Sequence, residues 1–265
     1  MKTTLVTAPT GMLISLDEAK THLRVDHTED DGYIQALIMS GTAMAETITN
    51  RRLLTQTWKA YADEWPAEFF TIPFGNLQSV TSVLYKESDA TESTMTASEY
   101  IVDVDSDPGR VVLGYNETWP NETLYPSNPI YIQFVCGYGA HTLQTVTGAT
   151  NAGPIVITLA AHGYVTGNRI LIANVVGNTN ANGAWNITKV TDASFSLDGS
   201  TGNAAYISGG TAVKLDVPDP IRAAILLMIG NAYKARESIF FGGQDVSEIP
   251  EYIMNLLWSY RLWKF

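Results

Sequence analysis

The chain has 265 residues, 45% hydrophobic and 16% charged, the proportions of an ordinary globular protein with enough material for a sizeable core. A formal net charge of −11 and a pI near 4.7 exclude a surface that grips nucleic acid by releasing phosphate counterions. A lone cysteine, Cys136, excludes an intrachain disulfide and a thiolate zinc cluster. Met1-Lys2-Thr3-Thr4 lacks the apolar stretch of a signal peptide, and the longest apolar run, Ala223 to Ile229, is far too short for a bilayer. The expectation is a soluble protein made in a cytoplasm, with no membrane partner.

A short helix is expected over 16–23, capped by Ser15 with Glu18 at capping-box spacing. A long amphipathic helix over 29–50 follows. Thr28 and Asp31 repeat the box, and Arg51 and Arg52 stand where the helix dipole favours cations. Ile34, Leu37, Ile38, Gly41, Ala45 and Ile48 form one apolar stripe, which needs a partner to pack on. From 55 to 136 the pattern changes to short β-branched and aromatic runs. About six antiparallel strands are expected, including a hairpin closed by Asp107-Pro108-Gly109 and a last strand ending at Gly137-Tyr138-Gly139.

Between Thr142 and Lys214 only five residues are charged, and strand-like pieces alternate with Gly-, Asn- and Thr-rich turns such as Gly177-Asn178 and Asn182-Gly183. This reads as a small all-β domain, 142–215, inserted in loop-like sequence where insertions are tolerated. A helix over 220–236, opened by Asp219-Pro220, supplies Ile221, Ala224, Ile225, Met228, Ile229 and Ala232 to match the long helix. After Gly242-Gly243 a last helix spans 250–261. The fold class is α+β. Residues 1–141 and 216–265 form a frame of two N-terminal and two C-terminal helices with an antiparallel β region, and the second domain lies inside it.

No chemistry of an enzyme emerges. Asp103-Val104-Asp105-Ser106-Asp107 opens like a calcium loop, but Pro108 and Gly114 stand where Gly and Glu belong, so a solvated turn is expected. The four histidines, His22, His27, His141 and His162, lack metal-ligand spacing, and Cys136 ends an apolar strand as a buried thiol would. No catalytic, cofactor or metal residue is expected. Two surfaces remain. One is the tail, Trp258, Tyr260, Arg261, Trp263 and Phe265, residue types that either anchor interfaces or close the protein's own core. The other is the β region, where twelve acidic residues face three basic ones between Lys59 and Glu122.

The order of motifs resembles the head–tail connector proteins of tailed phages. It runs through Ser15-Leu16-Asp17-Glu18-Ala19-Lys20-x-His22-Leu23-Arg24, Arg52-x-Leu54-x-Gln56-Thr57-Trp58 and Ser79-Val80-x-Ser82-Val83-x-Tyr85. It continues through Tyr100-x-Val102-Asp103, Pro108-Gly109-Arg110-Val111, Phe134-Val135-x-Gly137-Tyr138-Gly139 and Val217-Pro218-x-Pro220-Ile221. The resemblance implies a virion protein of the head–tail neck with no enzymatic activity. Such adaptors form a ring, usually of twelve copies, under the portal protein. They extend the DNA channel, through which DNA passes without specific binding, and dock the stopper or tail-completion protein. It also implies that the C-terminal tail reaches the portal. The insert departs from the usual short loop and raises the alternative of a binding or adhesion module in a tail or surface structure.

Overall fold

In the computed structural model, which describes residues 1–9, 11–139, 143–235 and 250–263, the frame holds helices α1 (Leu16–Leu23), α2 (Asp31–Thr49), α3 (Asp219–Lys234) and α4 (Glu251–Trp258). Ser15 caps α1 by accepting from Glu18 N at 3.1 Å. The Glu18 carboxylate does not close the box. It is held instead by Arg222 of α3, whose Nη2 donates to its two oxygens at 2.7 and 2.8 Å.

Both ends of α2 differ from expectation. Thr28 is not its cap. Asp30 holds that position in helical geometry without a side-chain capping bond, its carboxylate accepting instead from the Tyr233 hydroxyl, and Thr28 offers only its carbonyl to Asp31 N. Asp31 is drawn to Lys20 of α1 at 2.7 Å, so a tertiary ion pair displaces the local box. At the other end Asn50 takes the left-handed conformation (φ 56°) and stops the helix before Arg51 and Arg52, which serve other elements. Helix α4 is shorter than expected and stops at Trp258. Residues 141, 142, 236, 242, 243, 264 and 265, for which the sequence raised expectations, lie outside the described residues.

Ile34, Ile38, Gly41 and Ala45 are buried along α2, and Ile221, Ala224, Ile225 and Ile229 along α3. At Gly41 the two helices pass close to each other, yet a Cβ there would make only ordinary contact, 3.5 Å from Ile225 Cγ2 and 3.7 Å from Ile229 Cγ1.

The β region forms two antiparallel sheets. One has five strands in the order β1 (Lys2–Thr7), β2 (Gln56–Ala62), β8 (Ile130–Cys136), β4 (Leu77–Lys86), β5 (Glu92–Thr94). The other orders β3 (Phe69–Thr71), β7 (Arg110–Leu113), β6 (Tyr100–Asp103). Strands β1 and β5 were not expected from the sequence, because neither contributes a buried side chain to set an alternating pattern. Strand β8 alternates cleanly, with Ile130, Ile132, Phe134 and Cys136 in the core beside Phe70, Ile72 and Val83.

The chain divides into two compact units, Met1–Ala140 with Asp219–Phe265, and His141–Pro218. The second unit is a seven-stranded antiparallel sheet in the order β10 (Gly148–Ala149), β11 (Val156–Thr158), β14 (Ser194–Leu197), β13 (Gly183–Thr191), β12 (Arg169–Val176), β15 (Ser208–Lys214), β9 (Gln144–Thr145). It has its own core, centred on Ile157, Ile170, Ile172, Ile187, Phe195 and Leu197. The Gly177-Asn178 and Asn182-Gly183 turns belong to one connection, between β12 and β13, with a 3₁₀ turn at Thr179–Ala181 between them.

Candidate functional site

The C-terminal segment is pinned and still presents its aromatic rings. Helix α4 buries Ile253 and Leu257. Beyond it the chain turns, with Tyr260 N donating to Leu257 O at 3.0 Å and Arg261 N to Trp258 O at 3.2 Å. Leu262 N then donates to Thr49 O at 2.8 Å, satisfying a carbonyl that the last turn of α2 leaves open. Arg51 Nε donates to Tyr260 O at 2.5 Å. Trp258 and Trp263 remain 50% and 54% exposed, their ring centroids 6.4 Å apart. The Arg261 guanidinium lies 4.6 Å from the Trp263 centroid, a cation–π contact. Tyr260 is half-buried and Arg261 exposed. Four of the expected patch residues, Trp258, Tyr260, Arg261 and Trp263, thus lie along one short pinned segment, and Phe265 is outside the described residues.

Under the patch Arg51 joins four parts of the frame. Besides Tyr260 O it reaches Asp107 in the β6–β7 turn and Asn76 Oδ1 at 3.3 Å, and it lies over Gly75. A Cβ on Gly75 would collide with Arg51 Nη1, so no side chain fits there while the guanidinium holds its place. The neighbouring Tyr138 phenol is pushed up by burial, against the lowering effects of an Asn76 hydrogen bond and of Arg51.

Arg52 packs its guanidinium 3.8 Å from the Phe74 centroid and 4.6 Å from that of Trp58, and pairs with Glu46 at 3.0 Å. Glu46 also accepts from Leu53 N and Gln56 Nε2, and Gln56 Oε1 accepts from Trp58 Nε1. Arg52, Gln56 and Trp58 of the sequence motif are therefore one structural network that ties α2 to β2. Asp103 plays a similar part in the hairpin. Its carboxylate is held well below the usual range by the Ser106 hydroxyl, Arg110 and Ser106 N. Its oxygens accept from Ser106 Oγ at 2.6 Å and Arg110 Nη2 at 2.6 Å, which makes this segment a self-satisfied turn.

The acidic β region is partly neutralised by cations and backbone donors of the frame. Asp107 meets Arg51, Glu92 meets Lys86 at 3.7 Å, and Asp63 accepts from Asn128 N. Glu64, Glu68, Asp105, Glu117 and Glu122 are exposed and keep the surface negative. Among the described residues no group of three His, Cys, Asp or Glu could hold a metal ion. His22 is exposed beside Gly230, and His162 is buried, its Nδ1 accepting from Tyr164 N at 2.9 Å. Among the described residues no helix is long and apolar enough to cross a membrane.

Residues 13–107 match the family described as phage gp6-like head-tail connector protein. No curated protein matches the chain. Among solved structures, it resembles a chain in the neck of an empty gene transfer agent (GTA) particle computed with C6 symmetry, at 14% identity and a TM-score of 0.59. It also resembles a chain of the native GTA virion (15%, 0.59) and one of the native GTA neck computed with C12 symmetry (14%, 0.57). Each alignment covers 100% of this chain and 97% of the other, so the likeness in fold includes the second unit. Arg51, Gly75, Asp107 and the Glu46–Arg52–Gln56–Trp58 network all fall within the matched residues, and there the chain is similar in sequence to the gp6-like head–tail connector proteins of phages.

Proposed function

We propose that this chain is a structural head–tail connector of a phage or phage-like particle, resident in the virion neck and not an enzyme. Copies of it close into a ring, twelve by the symmetry of one neck that holds a chain of this fold, beneath the portal protein. The ring extends the DNA channel and receives a stopper or tail-completion protein. The family match over residues 13–107, which hold the first two helices and strands β2 to β6, carries this reading. The acidic surface agrees with it, since a conduit that repels phosphate lets DNA slide.

The portal-facing surface is the tail: Trp258, Tyr260, Arg261, Trp263 and the terminal Phe265. Two half-exposed tryptophans on a backbone held by Arg51 and Thr49 form a preorganised anchor, and such aromatics typically contribute ~2 kcal/mol or more each at an interface. The Trp258→Ala/Trp263→Ala double variant is expected to stay folded and to yield heads that leak DNA or lack tails. The test compares its melting curve with head-to-tail joining. Normal joining rejects the docking role, and a large fall in melting temperature assigns the rings to the core. Cryo-electron microscopy of the neck tests the ring itself, and finding the chain only at tail fibres or the tail tip overturns it.

A further inference from the structure

The outer side of α2 lacks what a wet helix face normally carries. Between Gly32 and Thr47 the only charged residue is Glu46, and its carboxylate is turned to Arg52, Leu53 N and Gln56. Opposite the buried Ile34–Ile38–Gly41–Ala45 stripe stand Ala36, Met39, Ser40, Ala43 and Thr47, all exposed, with Met44 at the flank. Met39 is 66% and Met44 46% exposed. The hydroxyls are turned back on the helix: Ser40 Oγ donates to Leu37 O and Thr47 Oγ1 to Ala43 O. Four turns of neutral, small and thioether surface are cheap to desolvate, whereas an ordinary surface helix shows charges there.

We infer that this face of α2 seats the neighbouring copy of the chain in the ring, an inference that rests on the ring reading above. Each copy carries a formal charge of −11, so two copies repel wherever carboxylates meet. A long, carboxylate-free face is where they touch without that penalty. A second copy is favoured over the DNA channel as occupant, because a channel wall leaves Met39 and Met44 in water. Ring contacts are heterologous, so the face meets a different element of the next copy and not a second α2. Small side chains let that element approach the helix backbone, and the methionines adapt to its shape.

The test places photo-reactive benzoylphenylalanine at Met39 in assembled particles and identifies crosslinked peptides, with the neck imaged in the same preparation. Crosslinks to a peptide of this chain outside α2 are the expected result. Crosslinks to another virion protein, or none although the neck contains the ring, overturn the α2 assignment and leave the ring reading standing. A neck without this chain overturns both. In parallel, Ala36→Glu/Ala43→Glu is expected to keep the helical circular dichroism and melting of the free protein while lowering its incorporation at least roughly tenfold, because burying unpaired carboxylates in a neutral contact costs more than that factor requires. Ala36→Ser/Ala43→Ser is expected to incorporate normally, and undiminished incorporation of the Glu variant overturns the inference.

Discussion

Arg222 lies in the buried face of α3, 5% exposed, donating to Leu13 O at 2.9 Å and to the Glu18 carboxylate 204 positions earlier. It joins the two ends of the chain through one guanidinium. Removing it strands Glu18, whose side chain is 22% exposed, and the Leu13 carbonyl; a fully buried pair broken this way costs about 3–5 kcal/mol, and this partly buried one is expected near the low end, about 3 kcal/mol. Arg222→Ala is therefore expected to lower unfolding stability by about that amount in urea titration, and Arg222→Met with Glu18→Leu by clearly less, since no charge is left unpaired. Cys136 shows the same dominance of environment. Burial pushes its thiol from an ordinary 9.0 up to about 12, with Arg52 opposing and Glu46 assisting. The folded state thus holds the proton more tightly than the unfolded one, so this group's contribution is full below about pH 9 and is lost as pH rises towards 12. At pH 8 the native thiol is expected to resist a disulfide reagent until denaturant unfolds the frame, and rapid native-state labelling would contradict its burial.

Among elements, the α2–α3 pair is built around Gly41. A methyl group added at this position would meet Ile225 Cγ2, Ile229 Cγ1 and Ile225 O at 3.5, 3.7 and 3.8 Å, which is ordinary contact. Glycine in a helix interior costs about 0.8–1 kcal/mol relative to alanine, so Gly41→Ala is expected to raise the melting temperature. Gly41→Leu must overpack against both isoleucines and is expected to lose about 1–3 kcal/mol. Thermal melts of the two variants separate propensity from packing, and a destabilised Gly41→Ala would show that the helices need the closer approach. The stripe was legible in the sequence because its period is local. The ends of α2 were not, because Lys20 decides what Asp31 does, the tail with Asn76 and Asp107 what Arg51 does, and Glu46, Phe74 and Trp58 what Arg52 does.

At the scale of the whole molecule, each unit has a core of its own: one is centred on Phe134, Ile132 and Val83, the other on Phe195, Ile172 and Ile187. We expect that replacing residues 142–215 with a short Gly/Ser linker leaves a folded frame. Retained helical circular dichroism with a cooperative melt is the expected readout. A frame that unfolds would show that the insert completes its core.

The sequence by itself determined the four helices, the strands with a buried alternating face and the abrupt change of composition near Thr142, because periodicity and composition are local properties. It also held the motifs that resemble those of head–tail connector proteins, but the contacts their residues make were not readable in it. Glu18 looked like half of a capping box, and Arg51 and Arg52 like dipole partners. Only the tertiary structure gave Glu18 to Arg222, Arg51 to Tyr260, Asn76 and Asp107, and Arg52 to Glu46, Trp58 and Phe74. The same holds for the tail, whose aromatic residues read equally well as core or interface. Which tryptophan surface stays in water depends on where Thr49 and Arg51 hold the backbone, a contact between residues about two hundred positions apart that no local pattern encodes.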